Sequence, residues 1–292
     1  MGFNSIFRAG LFDDQVILVT GGGSGIGRCM AHELAHLGAT VFISGRNEDK
    51  LAAVAEEITG DGGKADYTTC DIREEDQVQA MVAALLERHG RIDGLINNAG
   101  GQFPALLEMI SRNGFEAVVR NNLLGTFLVT REVVNQYMKD HGGSIVCMLA
   151  DIEKGMPMMG HSGAARAGVQ NLVKTAAVEW SRFNIRINAI LPGVIASSGL
   201  ETYDAEMRRN LYKVRTQIPL RRLGTESEIS AAATFLLSPA SVYTTGASLK
   251  VDGGISLYAQ MLPLPEDDVS EPFDGFHRAY QPDWIDVADD ND

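Results

Sequence analysis

The sequence predicts an α/β fold with one doubly wound parallel sheet of about seven strands and helices on both faces. Short apolar runs alternate with helix-length amphipathic segments between residues 16 and 251, a pattern typical of sheets that are buried on both faces. A glycine-rich turn at 21–27 follows the first apolar run. Because no linker interrupts the alternation, we expect one domain over residues 1–260 and an acidic, aromatic tail over 261–292.

The apolar runs place the strands, and the amphipathic segments place the helices. Strands are predicted at Val16–Val19, Val41–Ser44, Ala65–Cys70, Asp93–Asn97, Gly143–Leu149, Ile185–Ile190 and Ser248–Val251. Helices are predicted at Arg28–Ala35, Glu48–Thr59, Glu75–His89, Gly114–Lys139, Ser162–Arg182 and Glu226–Leu237. In the second and third helices, apolar residues recur every three or four positions, as one buried face requires. Residues 195–217 are predicted to form a mobile insert with a short helix.

Charge and composition exclude several classes of partner. The formal net charge of -13 argues against nucleic acid, because phosphate binding needs clustered Lys and Arg. The chain lacks an apolar run of about 18 residues, so we expect no membrane span. Cys29, Cys70 and Cys147 are widely spaced, which favours free buried thiols over a disulfide or a metal site. The sequence shows neither a secretion signal nor a C-terminal targeting signal, so we expect a cytoplasmic protein.

The turn between the first strand and the first helix is predicted to bind a dinucleotide. Gly21, Gly25 and Gly27 have the spacing G-x-x-x-G-x-G. Glycines let the backbone approach a pyrophosphate, whose charge suits the N–H groups at a helix start. Ligands of such sheets bind at the carboxyl ends of the strands, where this turn, Asp71 and residues 97–101 fall.

The end of the second strand predicts which nicotinamide cofactor binds. An enzyme that prefers NAD usually has an acidic residue there, about 20 residues after the glycines, to bind the ribose 2'-hydroxyl. Here the segment reads Ser44-Gly45-Arg46, with no acid before Glu48. A guanidinium offers a charge-assisted fork to a 2'-phosphate. We therefore predict NADP(H), with Arg46 as the phosphate ligand; a solvated surface arginine is the alternative.

Three segments in order carry a family resemblance: the glycine turn, Asn97–Gly100, and Leu191–Ile195. Over about residues 12–258 the chain resembles the short-chain dehydrogenase/reductases. The resemblance implies a single-domain Rossmann fold, a nicotinamide cofactor and a homotetramer or homodimer. With Arg46, the implied cofactor-binding residues are Gly21, Ser24, Gly25, Ile26, Gly27, Asp71, Ile72, Asn98, Ala99, Gly100, Arg166, Pro192, Gly193 and Ile195. In that scheme the turn cradles the pyrophosphate, Asp71 contacts adenine, and Asn98 and Gly100 line the nicotinamide ribose.

The catalytic pattern departs from that of most family members, which use Asn, Ser, Tyr and Lys. Asn122 matches the family asparagine. Ser162 stands at the tyrosine position and Arg166 at the lysine position, while Leu149 replaces the family serine. A serine hydroxyl is a poor proton donor near neutrality, and arginine stays protonated. The usual interconversion of alcohol and ketone is therefore not expected.

The departure resembles one subgroup, the peroxisomal trans-2-enoyl-CoA reductases and related 2,4-dienoyl-CoA reductases. The segment His161–Gly168 carries this resemblance together with Asn98–Phe103, Ala177–Trp180 and Asp252–Tyr258. It implies reduction by NADPH of a carbon–carbon double bond conjugated to a CoA thioester. Such a reaction needs hydrogen-bond donors where enolate charge develops on the thioester oxygen. Ser162 is the predicted donor there, and Arg166 is predicted to bind the ribose.

A fourth catalytic candidate is Asp151, eleven residues before Ser162. It is predicted to orient water or hold a proton, although a loop aspartate is more often a cap. No metal ligand is predicted among the site residues. Two other functions stay open. One is a dehydrogenase or reductase of a branched or terpenoid alcohol, carbonyl or hydroxyacyl-CoA in bacterial catabolism, and the other is a catalytically silent NADP(H) sensor.

The tail carries four aromatic residues among its acids. Phe273, Phe276, Tyr280 and Trp284 recur at spacings of three and four, as one helical face requires. Acidic composition alone favours disorder, but the aromatics indicate that the tail docks. We expect it to pack across a neighbouring subunit or over the substrate cleft.

Overall fold

Seven parallel strands form the central sheet of this computed structural model, which describes residues 2–258, 263–267 and 270–282. Together with a separate pair, the described residues contain nine strands: β1 Val16–Thr20, β2 Thr40–Gly45, β3 Lys64–Thr69, β4 Gly94–Asn97, β5 Gly143–Met148, β6 Ile185–Pro192, β7 Ile195–Ala196, β8 Gly224–Thr225 and β9 Ser248–Val251. The sheet order is β3-β2-β1-β4-β5-β6-β9, and β7 pairs with β8 separately. The chain reverses direction along the sheet between β1 and β4, which is where ligands of doubly wound sheets bind.

Helices cover both faces of the sheet, so the predicted fold class is confirmed. They are α1 Gly25–His36, α2 Glu48–Gly60, α3 Glu75–His89, α4 Arg112–Val119, α5 Gly125–Val133, α6 Lys139–His141, α7 Gly160–Glu179, α8 Ala205–Lys213 and α9 Glu226–Leu237. Alternate residues of β1 enter opposite cores, because successive strand side chains point to opposite faces. Ile17 and Val19 pack with α1 and α9, whereas Val16 and Leu18 pack with α3, α5 and α7.

The long predicted helix at 114–139 contains two π-helical turns, Arg120–Leu124 and Val134–Met138, which separate α4, α5 and α6. A π turn adds one residue to the helical repeat, and such turns occur often at functional sites. The first of them carries Asn122. Simple periodicity does not predict this feature, because the flanking turns keep ordinary helical spacing.

The described tail residues contain no helix, which corrects the expectation of one helical face. The N–H groups of Gly275 and Phe276 both donate to Ser227 Oγ at 3.1 Å. Phe276 stacks on Phe3 with ring centroids 5.7 Å apart. The tail thus docks on α1 and α9 of its own chain in irregular form, with one turn closed by the N–H of Ala279 and the carbonyl oxygen of Phe276. Trp284 lies outside the described residues, and the division at residue 260 stays a prediction.

Two further expectations concern thiols and membranes. Cys29, Cys70 and Cys147 are free and buried, as predicted. Within the described ranges, no helix combines the length and the apolar character that crossing a membrane requires.

Candidate active site

The turn between β1 and α1 requires its glycines. Gly21 and Gly25 have φ angles of 68° and 54°, in the left-handed region that side chains disfavour. A Cβ on Gly27 would lie 2.2 Å from the carbonyl oxygen of Gly21. Ser24 precedes α1 and makes no side-chain capping bond, so the first N–H groups of the helix are not covered by that side chain. This cradle fits a phosphate group.

The segment after β4 is held against the glycine turn. Asn98 Nδ2 donates to the carbonyl oxygens of Thr20 and Gly21, at 3.1 and 3.2 Å. A Cβ on Gly21 would lie 2.9 Å from the Cα of Ala99. The Asn98 amide therefore positions the two loops, a role beyond the ribose contact that the sequence predicts.

The end of β2 carries exposed Arg46, next to the loop that follows β3. In that loop Asp71 Oδ1 accepts a hydrogen bond of 2.8 Å from Arg73 Nε. Arg73 holds the pKa of Asp71 below its usual value, and the charge of Arg46 lowers it further. Buried Ile72 packs against Gly125 at the start of α5. The predicted adenine end thus combines a fixed anion with an exposed guanidinium.

Two side chains converge on Gly100. A Cβ there would lie 2.6 Å from Asn122 Oδ1 and 2.7 Å from Arg166 Nη2. Asn122 is fully buried, and its Nδ2 donates to the carbonyl oxygens of Gly101 at 2.7 Å and Val118 at 2.9 Å. The predicted catalytic asparagine and the predicted ribose-binding arginine therefore meet where the loop after β4 leaves the sheet.

Arg166 reaches this point from α7 and donates from Nη1 to the carbonyl oxygen of Met148 at the end of β5. Burial lowers the pKa of Arg166 to about 10, so the group remains cationic at neutral pH. Its Nε is buried without a hydrogen-bond partner among the described residues. An unpaired donor of this kind fits a ribose hydroxyl.

Ser162 belongs to a hydrogen-bonded chain that sequence reasoning missed. Its Oγ donates to Gln102 Oε1 at 2.6 Å. Gln102 Nε2 in turn donates to Tyr203 Oη at 3.2 Å. Tyr203 follows the 3-10 turn Ser198–Thr202, on the loop between β7 and α8. A phenol thus reaches the site from another loop, although none stands at the family position.

Pro192 ends β6, and the residues after it support the loop that carries Tyr203. The N–H of Gly193 donates to the carbonyl oxygen of Val251 at 3.0 Å. A Cβ on Gly193 would lie 2.8 Å from the Cα of Asp252. Ile195 pairs with Gly224 between β7 and β8. The two-stranded sheet of β7 and β8 thus fixes the start of the Tyr203 loop, just after the carboxyl end of β6.

The other two polar candidates lie in local contacts. Asp151 Oδ1 accepts from the N–H of Glu153 at 3.2 Å, which is the bonding of a loop cap. No hydrogen bond joins it to Ser162 within the described chain. The Nδ1 of buried His161 accepts from the N–H of Ser162 at 2.8 Å, and the His161 ring packs edge-on against Phe103 at 4.5 Å.

An apolar rim borders this group of side chains. Its exposed members are Phe103, Leu106, Leu107, Met109 and Met158. The N–H of Ala105 donates to the carbonyl oxygen of Met158 at 2.8 Å, which joins the two loops that carry the rim. Exposed apolar patches of this kind mark ligand or partner sites.

Comparisons with known proteins agree with this geometry. Residues 21–256 match the family described as enoyl-(acyl carrier protein) reductase. A peroxisomal 2,4-dienoyl-CoA reductase of Danio rerio is 36% identical over 86% of this chain and 85% of its own length. A probable 2,4-dienoyl-CoA reductase of Bacillus subtilis is 36% identical over 83% of this chain and 96% of its own.

A solved structure is also similar. A citronellol catabolism dehydrogenase of Pseudomonas aeruginosa has a TM-score of 0.79 and 53% identity, covering 87% of this chain and 100% of its own. The matched segment, the sheet order and the glycine turn all agree with a doubly wound parallel sheet that carries a nucleotide-type turn after its first strand. The chain therefore belongs to the short-chain dehydrogenase/reductase family of oxidoreductases.

Proposed function

We propose that the protein uses NADPH to reduce the carbon–carbon double bond of a trans-2-enoyl-CoA or a related acyl-CoA thioester. The observation that carries this proposal is the Ser162–Gln102–Tyr203 chain beside Arg166. These hydrogen-bonded side chains supply a serine hydroxyl and a tyrosine phenol as donors. The family's tyrosine and lysine positions, by contrast, carry Ser162 and Arg166. Two relatives named as 2,4-dienoyl-CoA reductases support the same class of chemistry.

The bound reduced nicotinamide would supply hydride to the β-carbon. Ser162 would donate its hydroxyl proton in a hydrogen bond to the thioester oxygen, where negative charge develops. For this, the hydroxyl must turn from Gln102, which then hydrogen-bonds Tyr203 alone. The Tyr203 phenol would give the α-carbon its proton and recover one from water, which balances the reduction.

The surroundings suit a long thioester. The apolar rim offers surface for an acyl chain, since burying apolar area drives binding. Arg208, Arg209 and Lys213 lie on α8, directly after the loop that carries Tyr203. Cationic side chains there suit the phosphates of CoA. Asp151 stays a proposed catalytic residue that would orient water or hold a proton, and its Oδ1 also accepts the local hydrogen bond from Glu153.

The test is NADPH oxidation with crotonyl-, hexenoyl- and decenoyl-CoA, run beside a panel of ketones and aldehydes. We expect turnover with the enoyl thioesters. Activity on carbonyl compounds alone would displace the proposal. Tight NADPH binding without turnover on either panel would favour a silent sensor.

A second candidate is oxidation or reduction of a branched or terpenoid alcohol, carbonyl or hydroxyacyl-CoA. The 53% identity to a protein named for citronellol catabolism favours it. Citronellol and citronellal, added to the same panel with NADP⁺ and NADPH, distinguish the two candidates directly.

We also propose a homodimer or homotetramer in the cytoplasm. Leu124, Phe127 and Val178 are exposed on the helical layer formed by α5 and α7 and the π turn before α5, where apolar side chains suit a subunit interface. The three free thiols suit a reducing compartment. Light scattering coupled to gel filtration tests the assembly, and a monomeric mass would contradict it.

A further inference from the structure

The docked tail brings together three residues that we call the tail triad: His32 on α1, Asp61 after α2, and His277. Each offers one ligand atom, and these atoms all lie within 4.8 Å of one another. His32 Nδ1 lies 3.6 Å from Asp61 Oδ2, and His277 Nε2 lies 2.8 Å from the same oxygen. The triad lies on the face covered by α1 and α9, whereas Ser162 lies on α7 on the opposite face.

The hydrogen bonds of His32 leave one nitrogen mismatched. The side chain is almost fully buried, and its Nε2 lies 3.2 Å from Glu57 Oε2. Arg28 fixes Glu57 through two hydrogen bonds of 2.8 Å. A neutral imidazole has one N–H, so donation to Glu57 leaves a lone pair on Nδ1. That lone pair faces a carboxylate oxygen of Asp61 with no proton between them.

His277 shows a second mismatch. Its Nε2 lies 2.8 Å from Asp61 Oδ2 and 3.1 Å from Arg278 Nε. The carboxylate needs a proton on that nitrogen, whereas the guanidinium N–H needs a lone pair, and one nitrogen cannot provide both. The other ring nitrogen, Nδ1, is buried without a partner among the described residues. A cation between the three ligand atoms would bind the lone pairs of His32 Nδ1 and His277 Nε2 beside the Asp61 carboxylate, and Arg278 would then give up its contact with His277.

We propose that the tail triad binds a zinc ion through His32 Nδ1, Asp61 Oδ2 and His277 Nε2, with water as the fourth ligand. Zinc bonds to imidazole and carboxylate are about 2.0–2.2 Å long, which gives a tetrahedral edge of about 3.4 Å. The 3.6 Å separation of His32 Nδ1 from Asp61 Oδ2 is close to that edge, and His277 Nε2, at 2.8 Å from the same oxygen, would withdraw by about half an ångström to reach it. Glu57 then acts as the outer carboxylate that orients a metal-bound histidine.

Arg278 competes with a metal ion for the Asp61 carboxylate. Its Nη2 lies 3.1 Å from Asp61 Oδ1, and its Nε lies 3.3 Å from Oδ2. Without metal, the guanidinium supplies positive charge to Asp61. Zinc would take over that role and join the tail to α1 and α2, which stabilises the native chain because the unfolded chain lacks the assembled ligands.

The test is calorimetric titration of zinc chloride into the metal-stripped full chain, with the visible absorption of bound Co²⁺ as a second readout. We expect one equivalent per chain. The His277→Ala and Asp61→Asn variants should lower the affinity at least about tenfold. Arg278→Gln keeps all three ligands and removes the competing cation, so it should raise the affinity. His141→Ala, which removes an exposed histidine elsewhere, should match the wild type.

If the wild-type chain takes up no zinc, the proposal is wrong. It is also wrong if the His277→Ala variant binds zinc as tightly as the wild type. If Asp61→Asn fails to fold, His277→Ala still decides whether the triad holds the ion, and an Arg278→Gln variant that binds zinc no more tightly than the wild type contradicts competition by Arg278.

Discussion

The proposed cofactor half and the proposed substrate half of the site are built in different ways. The cofactor half, meaning the glycine turn and the segment 98–100, is defined by backbone shape. A Cβ on Gly21, Gly27 or Gly100 would lie less than 3 Å from a neighbouring atom, so the backbone there excludes side chains. The substrate half, meaning Ser162, Gln102 and Tyr203, consists of side chains from three separate segments. Backbone constraints leave a local sequence signature, whereas a side-chain constellation is assembled only by folding.

The largest effect should come from Gly27→Ala in the cofactor half. The added Cβ would lie 2.2 Å from the Gly21 carbonyl, which forces the turn apart. We expect the dissociation constant of NADPH to rise by more than about a hundredfold, measured by nucleotide fluorescence. Gly60→Ala is the matched control, because a Cβ there meets nothing within 4 Å. Equal NADPH affinity in both variants would contradict a backbone-defined cradle.

Glu226 belongs to the same half, because its Oε1 would lie 3.8 Å from a Cβ on Gly25. Burial raises the pKa of Glu226 from 4.5 to about 7. Between those values the native chain keeps a proton that the unfolded chain has released, so stability falls as pH rises. The loss is on the order of 3 kcal/mol between pH 4.5 and 8.

Urea unfolding at several pH values measures this slope. Glu226→Gln cannot ionise and should remove this contribution, leaving a flatter profile in the same interval. An unchanged slope in the variant would show that other groups cause the dependence.

In the substrate half, Ser162→Ala should lower kcat about a hundredfold with enoyl-CoA, as expected for the loss of a donor to a developing oxyanion. NADPH affinity should stay unchanged, which separates the two halves.

Tyr203→Phe should lower kcat about tenfold through loss of the proton donor. Tyr243→Phe is the control, since Tyr243 is fully exposed. Full turnover in both site variants would remove this constellation from the mechanism.

The smallest effect should come from Arg46→Asp. Loss of the guanidinium should weaken NADPH binding about tenfold, the scale of one charge-assisted hydrogen bond. The new carboxylate should improve NADH binding by contacting the 2'-hydroxyl. The ratio of the two dissociation constants is the measurement, and an unchanged ratio would make Arg46 an ordinary surface residue.

The sequence by itself determined the parallel sheet and the glycine turn. Apolar runs, helical periodicity and glycine spacing are local, and each reports a local backbone requirement. It also located Ser162 through its place in a family pattern. Gln102 lay within a segment used for that comparison, but nothing local indicated its bond to Ser162.

Only the tertiary structure decided the rest. Helical periodicity does not indicate the π turn at Asn122, and Tyr203, on the loop after β7, bonds Gln102 from 101 residues away in the chain. The aromatic spacing of the tail indicated docking but predicted the wrong secondary structure. His32 and His277 meet only after the tail crosses α1. Such contacts join residues far apart in the chain, so no short stretch of sequence contains the information that specifies them.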